Sequence, residues 1–282
     1  MNKTLYVSDL DGTLLDDTSQ VSRRSSSIIS ALSAAGALIT VATARTPATV
    51  QPLLKDTAMA LPAITMTGAA LWDRTREAFA DVRMMQPDDV ATALETCARG
   101  GIYPFVYTLG DNGRLEVFHG GGTLNHAEEV FYEQRRHLPL KHFHLRTPVP
   151  PEALSRTILL CSLGRMAQTD AAASCLRDGT ECTVQSYPDI MLADTGILEV
   201  FAQGVSKAEA IRRMRRSTGA ERVVAFGDNL NDLPMLAEAD VAVAVANALP
   251  EVREAADIVI GPNTADAVAR FIEADFTGAG AQ

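Results

Sequence analysis

Residues Leu5-Tyr6-Val7-Ser8-Asp9-Leu10-Asp11-Gly12-Thr13-Leu14 join a short, unbroken apolar run to an Asp-x-Asp-Gly turn. An uninterrupted apolar strand, as opposed to an alternating one, suits a parallel sheet covered by helices on both faces. Residues 22–36 then carry Ile28, Ile29, Leu32 and Ala35 at helical spacing, with Ser22 as the cap and Gly36 as the stop. Residues 37–42 read as a second buried strand ending at Thr43, Pro47 opens a helix through Leu53 and Leu54, and residues 63–66 make a third short strand. Strand, helix, strand, helix, strand predicts an α/β, doubly wound parallel sheet. Such sheets take ligands in the crevice beyond the carboxyl ends of their strands.

The character changes near Val82. Residues 87–99 are helical, 102–109 and 115–119 are strands, and Asp111-Asn112-Gly113 between them is a hairpin signal. A helix at 125–137, a less regular stretch with Pro139, Pro148, Pro150 and Pro151, a strand at 157–163, a helix at 166–177 and a strand at 183–187 complete a separate α/β unit. Core features return with Leu198-Glu199-Val200-Phe201, a helix from Lys207, and a buried strand at 222–226 that ends on Gly227-Asp228. Strands at 241–245 and 258–260, a closing helix at 265–276 and a frayed tail at 277–282 finish the chain. At about 150 residues per domain, 282 residues suggest two domains. The expectation is a discontinuous core, 1–82 and 195–282, around an inserted α/β cap at 83–194. Linkers near Asp81 and Asp194 would let the insert hinge over the crevice.

The net charge of −10 argues against nucleic acid and anionic membrane surfaces as partners, because the long-range field repels both. Asp9 and Asp11 interrupt the first apolar stretch, so it is no secretory signal, and no apolar run approaches the length of a membrane span. The protein is expected to be soluble and cytoplasmic, as a monomer or homodimer. Cys97, Cys161, Cys175 and Cys182 show no metal spacing and read as small buried hydrophobes. Arg212, Arg213, Arg215 and Arg216 fall on one helix and read as a solvated face, and Gly120-Gly121-Gly122 as a flexible loop.

By itself Asp-x-Asp-Gly is either an ordinary turn or a strand-end site where Asp9 and Asp11 gather a hard cation such as Mg²⁺. A calcium loop is excluded by spacing, since the fifth position from Asp9 is Thr13 and the twelfth is Gln20. Thr43 alone is a β-branched strand end, and Lys207 alone a surface lysine. Asn229 to Asp232 could be a helix cap, which leaves Asp228 on its strand end unexplained.

Three further segments follow the first in order: Val41-Ala42-Thr43-Ala44-Arg45, Gly204-Val205-Ser206-Lys207, and Gly227-Asp228-Asn229-Leu230-Asn231-Asp232-Leu233-Pro234-Met235-Leu236. Together with the first they resemble the four motifs of the haloacid dehalogenase (HAD) superfamily, in its Cof-like phosphatase branch. The resemblance covers about residues 1 to 82 and 195 to 272, and implies a Rossmann-like core with an inserted cap. It further implies a Mg²⁺-dependent phosphatase of small phosphorylated metabolites, such as sugar phosphates, working through an aspartyl-phosphate. Asp9 would be the nucleophile, and Asp11 the acid and then the base. Lys207 would offset the repulsion between Asp9 and phosphate, while Thr43, Ala44, Arg45 and Asn231 would bind the phosphoryl group. Asp9, the Asp11 carbonyl and Asp228 would ligate the metal, with Asp232 ordering its waters. A phosphomutase of the same superfamily and a phospho-ligand-binding regulator without turnover are the alternatives. The sequence departs from the family at Ala44, at Thr67-Gly68-Ala69 where Asn-Gly-Ala is frequent, and at Asp266-Ala267 where Asp-Gly is.

Overall fold

A computed structural model describes residues 3–189 and 192–278, so residues 279–282 of the expected tail lie outside the described residues. The chain divides into a core unit, Met1–Asp81 with Ser206–Gln282, and an inserted unit, Val82–Val205.

The core begins with β1 (Thr4–Ser8), a tight turn at Leu10–Leu14, α1 (Arg23–Ala34), β2 (Leu38–Val41) and α2 (Pro47–Leu53). Ser22 caps α1, its hydroxyl accepting from the Ser25 amide at 3.0 Å. Next come β3 (Ala63–Thr65), β4 (Ala70–Asp73) and β5 (Ala78–Val82), which form a three-stranded sheet. The third strand therefore barely joins the main sheet: it touches residue 42 by one parallel bridge and pairs antiparallel with β4. Four apolar residues at 63–66 carry no signal for that choice, because a partner strand is not encoded in a strand's own periodicity.

After the insert, the core resumes with α6 (Lys207–Thr218), β12 (Arg222–Gly227), α7 (Leu233–Glu238), β13 (Val241–Ala244), α8 (Pro250–Ala255), β14 (Ile258–Val259) and α9 (Ala267–Thr277). The main sheet is parallel throughout, in the order β14-β13-β12-β1-β2. Leu5, Val7, Val223 and Val224 have no exposed surface, as expected where helices cover both faces. The chain runs outward from β1 to β2 and later returns to β12 on the other side of β1. This reversal is the switch point where α/β sheets open a crevice. The register sets Ser8 opposite both Val41 and Phe226, so Asp9, Thr43 and Asp228 leave neighbouring strands at the same edge.

The inserted unit contains α3 (Pro87–Arg99), β6 (Phe105–Leu109), β7 (Leu115–His119), α4 (His126–Glu133), β8 (Lys141–Leu145), β9 (Thr157–Arg165), α5 (Met166–Gly179), β10 (Thr183–Pro188) and β11 (Thr195–Phe201). Its six-stranded sheet has the order β10-β11-β9-β6-β7-β8. The hairpin expected at 111–113 joins β6 and β7 in register Leu109 to Leu115. β8 lies within what the sequence suggested was irregular.

β11 requires a correction. Leu198 to Phe201 was expected in the core, yet this strand sits between β9 and β10, with Glu199 opposite both Cys161 and Gln185. Leu198 and Val200 pack with Val106 and Leu160 in the insert's own apolar cluster. The second boundary therefore lies at 205/206, not 194/195. The cysteines are free thiols, and Cys175 is exposed, which departs from the expected burial. No helix among the described residues is long and apolar enough to cross a membrane.

Candidate active site

The turn after β1 is shaped by what approaches it. The Asp9 amide donates to the Phe226 carbonyl at 2.9 Å, tying the start of the turn to β12. Gly12 has φ +75°, and a Cβ there would strike the Asp228 carboxylate, so both the backbone and the space require glycine. Thr13 donates its hydroxyl to Asp228 Oδ1 at 2.8 Å. Asn247 Nδ2 donates to the Gly12 carbonyl at 2.7 Å, and Asn247 Oδ1 accepts from the Asn263 amide at 2.9 Å.

At the centre lies Lys207, the first residue of α6, 4 % exposed. Its ammonium donates to Asp9 Oδ1 at 2.5 Å and to Asp232 Oδ1 at 2.7 Å. Asp232, wholly buried, uses its other oxygen to accept from the amides of Asp228 (3.1 Å) and Asn229 (3.2 Å). It thus fixes both the lysine and the loop that presents Asp228. Asp9, Asp228 and Asp232 each offer a carboxylate oxygen, all within 4.8 Å of one another. Hard oxygen donors of this kind suit Mg²⁺, and Asp9 and Asp228 would hold it, since both Asp232 oxygens are already engaged.

The electrostatics follow from burial. Burial raises the Asp9 carboxyl above the ordinary range, with Lys207 opposing the rise and Asp232 and Asp228 adding to it. Burial likewise pushes Asp228 up to about 6, against the Thr13 hydrogen bond. Burial alone would depress Lys207, but the carboxylates of Asp9 and Asp232 outweigh it and hold the ammonium above its usual range. Asp9 and Asp228, whose negative charge burial disfavours, gain from a cation arriving beside them.

Asp11 stands apart from this cluster. Half exposed, it is held in a two-point fork by Arg45, at 2.8 Å from Nε and 2.6 Å from Nη2. Thr43 is buried beside it, and its hydroxyl accepts from the Arg45 amide at 3.2 Å. Ala44 and Asn231 are exposed. The side chains brought into direct contact are therefore Asp9 with Lys207, Lys207 with Asp232, and Asp11 with Arg45.

Residues 66–68 close against the Thr43–Arg45 loop: the Met66 amide donates to the Arg45 carbonyl (2.9 Å) and the Thr67 amide to the Thr43 carbonyl (3.0 Å). Thr67 adopts φ +58°, a left-handed conformation in which a β-branched residue is strained and Asn is at ease. At Gly68, φ is +99° and a Cβ would strike the Ser206 carbonyl just before α6. Arg213 braces this loop from α6, donating to the Gly68 carbonyl at 2.7 Å and pairing with Asp81. Its side chain is only 14 % exposed, so the solvated face expected for the arginine cluster does not hold at this position. Its neighbours carry acidic partners, as in Arg212 with Glu209 and Glu238 and Arg215 with Asp240. Thr13 and Arg213 were not among the expected site residues, and only the position of Thr13, two residues beyond Asp11 in the same turn, marked it. Asn247, after the strand at 241–245, matches a family position near the active site but reads as a turn Asn; its bond to the Gly12 carbonyl ties it to the turn after β1.

A family profile described as haloacid dehalogenase-like hydrolase matches residues 6–272. Pyridoxal phosphate phosphatase YbhA of Escherichia coli is 26 % identical over 285 residues, covering 96 % of this chain and 98 % of that protein. 5-Amino-6-(5-phospho-D-ribitylamino)uracil phosphatase YwtE of Bacillus subtilis is 27 % identical, covering 96 % and 97 %. Among solved structures, a haloacid dehalogenase-like hydrolase from Bacteroides thetaiotaomicron superimposes with TM-score 0.73 at 20 % identity, covering 98 % of this chain and all of the other. With the four motifs at one sheet edge and a profile spanning both halves of the core, the chain belongs to the haloacid dehalogenase-like hydrolases, in their Cof-like branch.

Proposed function

We propose that the protein is a Mg²⁺-dependent cytoplasmic phosphatase that hydrolyses small phosphorylated metabolites through a phosphorylated Asp9. The observation that carries this reading is the contact of buried Asp9 with Lys207 at 2.5 Å beside the carboxylates of Asp228 and Asp232. Phosphate monoesters hydrolyse so slowly unaided that accelerations up to about 10²¹-fold are needed, and a covalent carboxylate nucleophile divides that barrier in two.

Lys207 engages Asp9 Oδ1, and no hydrogen bond among the described residues occupies Oδ2. Asp9 attacks phosphorus, the bond to the leaving alcohol breaks, and the alcohol oxygen takes a proton from Asp11, which must first leave the Arg45 fork and take up that proton from solvent. Asp11 then accepts a proton from the water that hydrolyses the aspartyl-phosphate, and inorganic phosphate leaves. Asp11 begins in the Arg45 fork, so a phosphoryl group arriving at Arg45 competes for that fork and frees the carboxyl for the leaving group. Mg²⁺ held by Asp9 and Asp228, with Asp232 adjacent, would supply charge neutralisation at the phosphoryl oxygens. The substrate class is supported by the relatives, whose names specify pyridoxal phosphate and 5-amino-6-(5-phospho-D-ribitylamino)uracil. The free thiols are consistent with a reducing compartment.

The test is phosphate release from a panel of sugar phosphates, pyridoxal phosphate and flavin-related phosphates, with Mg²⁺, with EDTA and with Asp9→Asn. Release that needs Mg²⁺ and vanishes in Asp9→Asn is expected. Transfer of phosphate between substrate positions without release would identify a mutase. Absence of both, in a folded protein that binds Mg²⁺, would overturn the enzymatic reading.

A further inference from the structure

A cavity of about 330 Å³ in the core unit shares no residue with the active site. It is lined by Ser30 of α1, Gln51 of α2, Lys55, Asp56 and Thr57 after that helix, and Arg74 in the turn between β4 and β5. Two of these polar side chains are committed to the fold. Gln51 Oε1 accepts from Trp72 Nε1 at 2.9 Å while its Nε2 donates to the Arg74 carbonyl at 3.0 Å, and the Ser30 hydroxyl accepts from the Ala58 amide at 2.9 Å.

Arg74 and Thr57 are different. Half-buried Arg74 donates from Nη2 to the Thr57 carbonyl at 2.6 Å, which uses one of the five N–H donors of a guanidinium. Its Nη1 is sealed from solvent without a partner, and among the described residues no carboxylate pairs with the group. Thr57 is 1 % exposed, and among the described residues nothing bonds its hydroxyl. That hydroxyl and Arg74 Nε are unpartnered but are not among the sealed atoms, so both remain open to solvent. Exposed Lys55 and Asp56 offset each other, which leaves Arg74 to set the sign of the cavity. Holding the Thr57 carbonyl therefore accounts for one donor and leaves a buried positive fork, beside a buried hydroxyl, without an acceptor. Unpaired buried donors cost stability, so an acceptor that enters is bound with gain.

We propose that this cavity is a second, non-catalytic oxyanion site, in which the Arg74 guanidinium and the Thr57 hydroxyl donate to a phosphate group, either free or carried by a small ester. A planar guanidinium fork matches two oxygens of such a group, and the hydroxyl supplies a third donor at an angle to it. The volume falls at the lower end of the range for small-molecule sites, which leaves room for the organic part of an ester. The site stands whether or not Asp9 is a nucleophile, since it shares no side chain with that chemistry.

Trp72 is the chain's one tryptophan, two residues before Arg74 and bonded to Gln51 of the lining, so its fluorescence reports on this cavity. Inorganic phosphate is titrated into the whole protein in EDTA at constant ionic strength. A saturable change in Trp72 emission is expected, in the parent and in Asp9→Asn alike. Arg74→Gln should raise the half-saturating concentration at least about tenfold and Thr57→Val about threefold, with the emission spectrum before phosphate unchanged as the sign of an intact fold. Glycerol 2-phosphate separates the two sources: half-saturation below that of inorganic phosphate would assign the cavity to an ester, and no such gain to free phosphate. No saturable response in the parent would overturn the site, as would a response equally strong in Thr57→Val and Arg74→Gln. A response lost in Asp9→Asn would overturn it too, by locating the bound phosphate at Asp9.

Discussion

Lys207 at the start of α6 in the core and Lys141 at the start of β8 in the inserted unit are both more than nine-tenths buried, yet their surroundings oppose each other. Two carboxylates face Lys207, and their attraction exceeds the cost of desolvation, so the charge stays. No carboxylate pairs with Lys141 among the described residues, and burial, with Arg135 adding to it, pulls its ammonium down to about 7. Burial alone therefore does not decide a lysine's chemistry. The sign of its neighbours does.

The comparison is broken most directly at Lys207. Lys207→Met strips the counter-charge from two buried carboxylates, and should lower unfolding free energy by about 3–5 kcal/mol in EDTA and phosphate release by at least ~100-fold. Urea unfolding and turnover check both, and an unchanged stability would mean that Asp9 and Asp232 do not depend on the lysine.

Lys141→Met should move stability the other way, by up to about 4 kcal/mol at pH 7. The sign follows from linkage. With a folded pKa near 7 and an unfolded value of 10.5, the unfolded chain binds the extra proton between those limits. Stability of the parent protein rises with pH across that window and is lost as pH falls through 7, whereas the variant should lack this slope. Urea midpoints at pH 7 and pH 10 test it, and a gain equally large at both values would contradict the neutral amine.

A third, half-buried cation, Arg213, sharpens the contrast because its partners are a carbonyl and one acid. Arg213→Gln should reduce kcat/KM by roughly tenfold through loss of loop placement, with the pH profile unmoved. Steady-state kinetics across pH on the best substrate of the panel would show it, and an unaltered kcat/KM would reduce Arg213 to a structural brace. The smallest effect, about 0.5–1 kcal/mol of added stability, is expected for Thr67→Asn, which relieves a left-handed β-branched residue without touching any charge. A thermal melt that falls instead would show that the threonine is better accommodated than its backbone angle suggests.

Much of the core site could be read from local pattern. The apolar runs at 5–7 and 222–226 end on Asp9 and Gly227-Asp228, and parallel pairing carries those ends to one edge. Lys207 alone read as a surface lysine, and only the order of the four motifs singled it out. The pairing of Arg45 with Asp11 was not recognisable, since both read as groups awaiting a substrate and nothing in either segment records the other. The bracing by Arg213 was hidden for the same reason: four arginines on a helix look alike until packing selects one.

The sequence by itself determined the α/β alternation, the interruption of the core by a second unit, and the acids at the strand ends. These depend on side-chain period and on neighbours a few residues apart. Only the tertiary structure decided that β11 joins the insert's sheet, that Asp232 clamps Lys207, and that Lys141 is buried with no carboxylate paired to it among the described residues. A short apolar strand fits more than one sheet, and whether a buried charge is paired depends on residues far away along the chain, so both choices are settled by long-range packing.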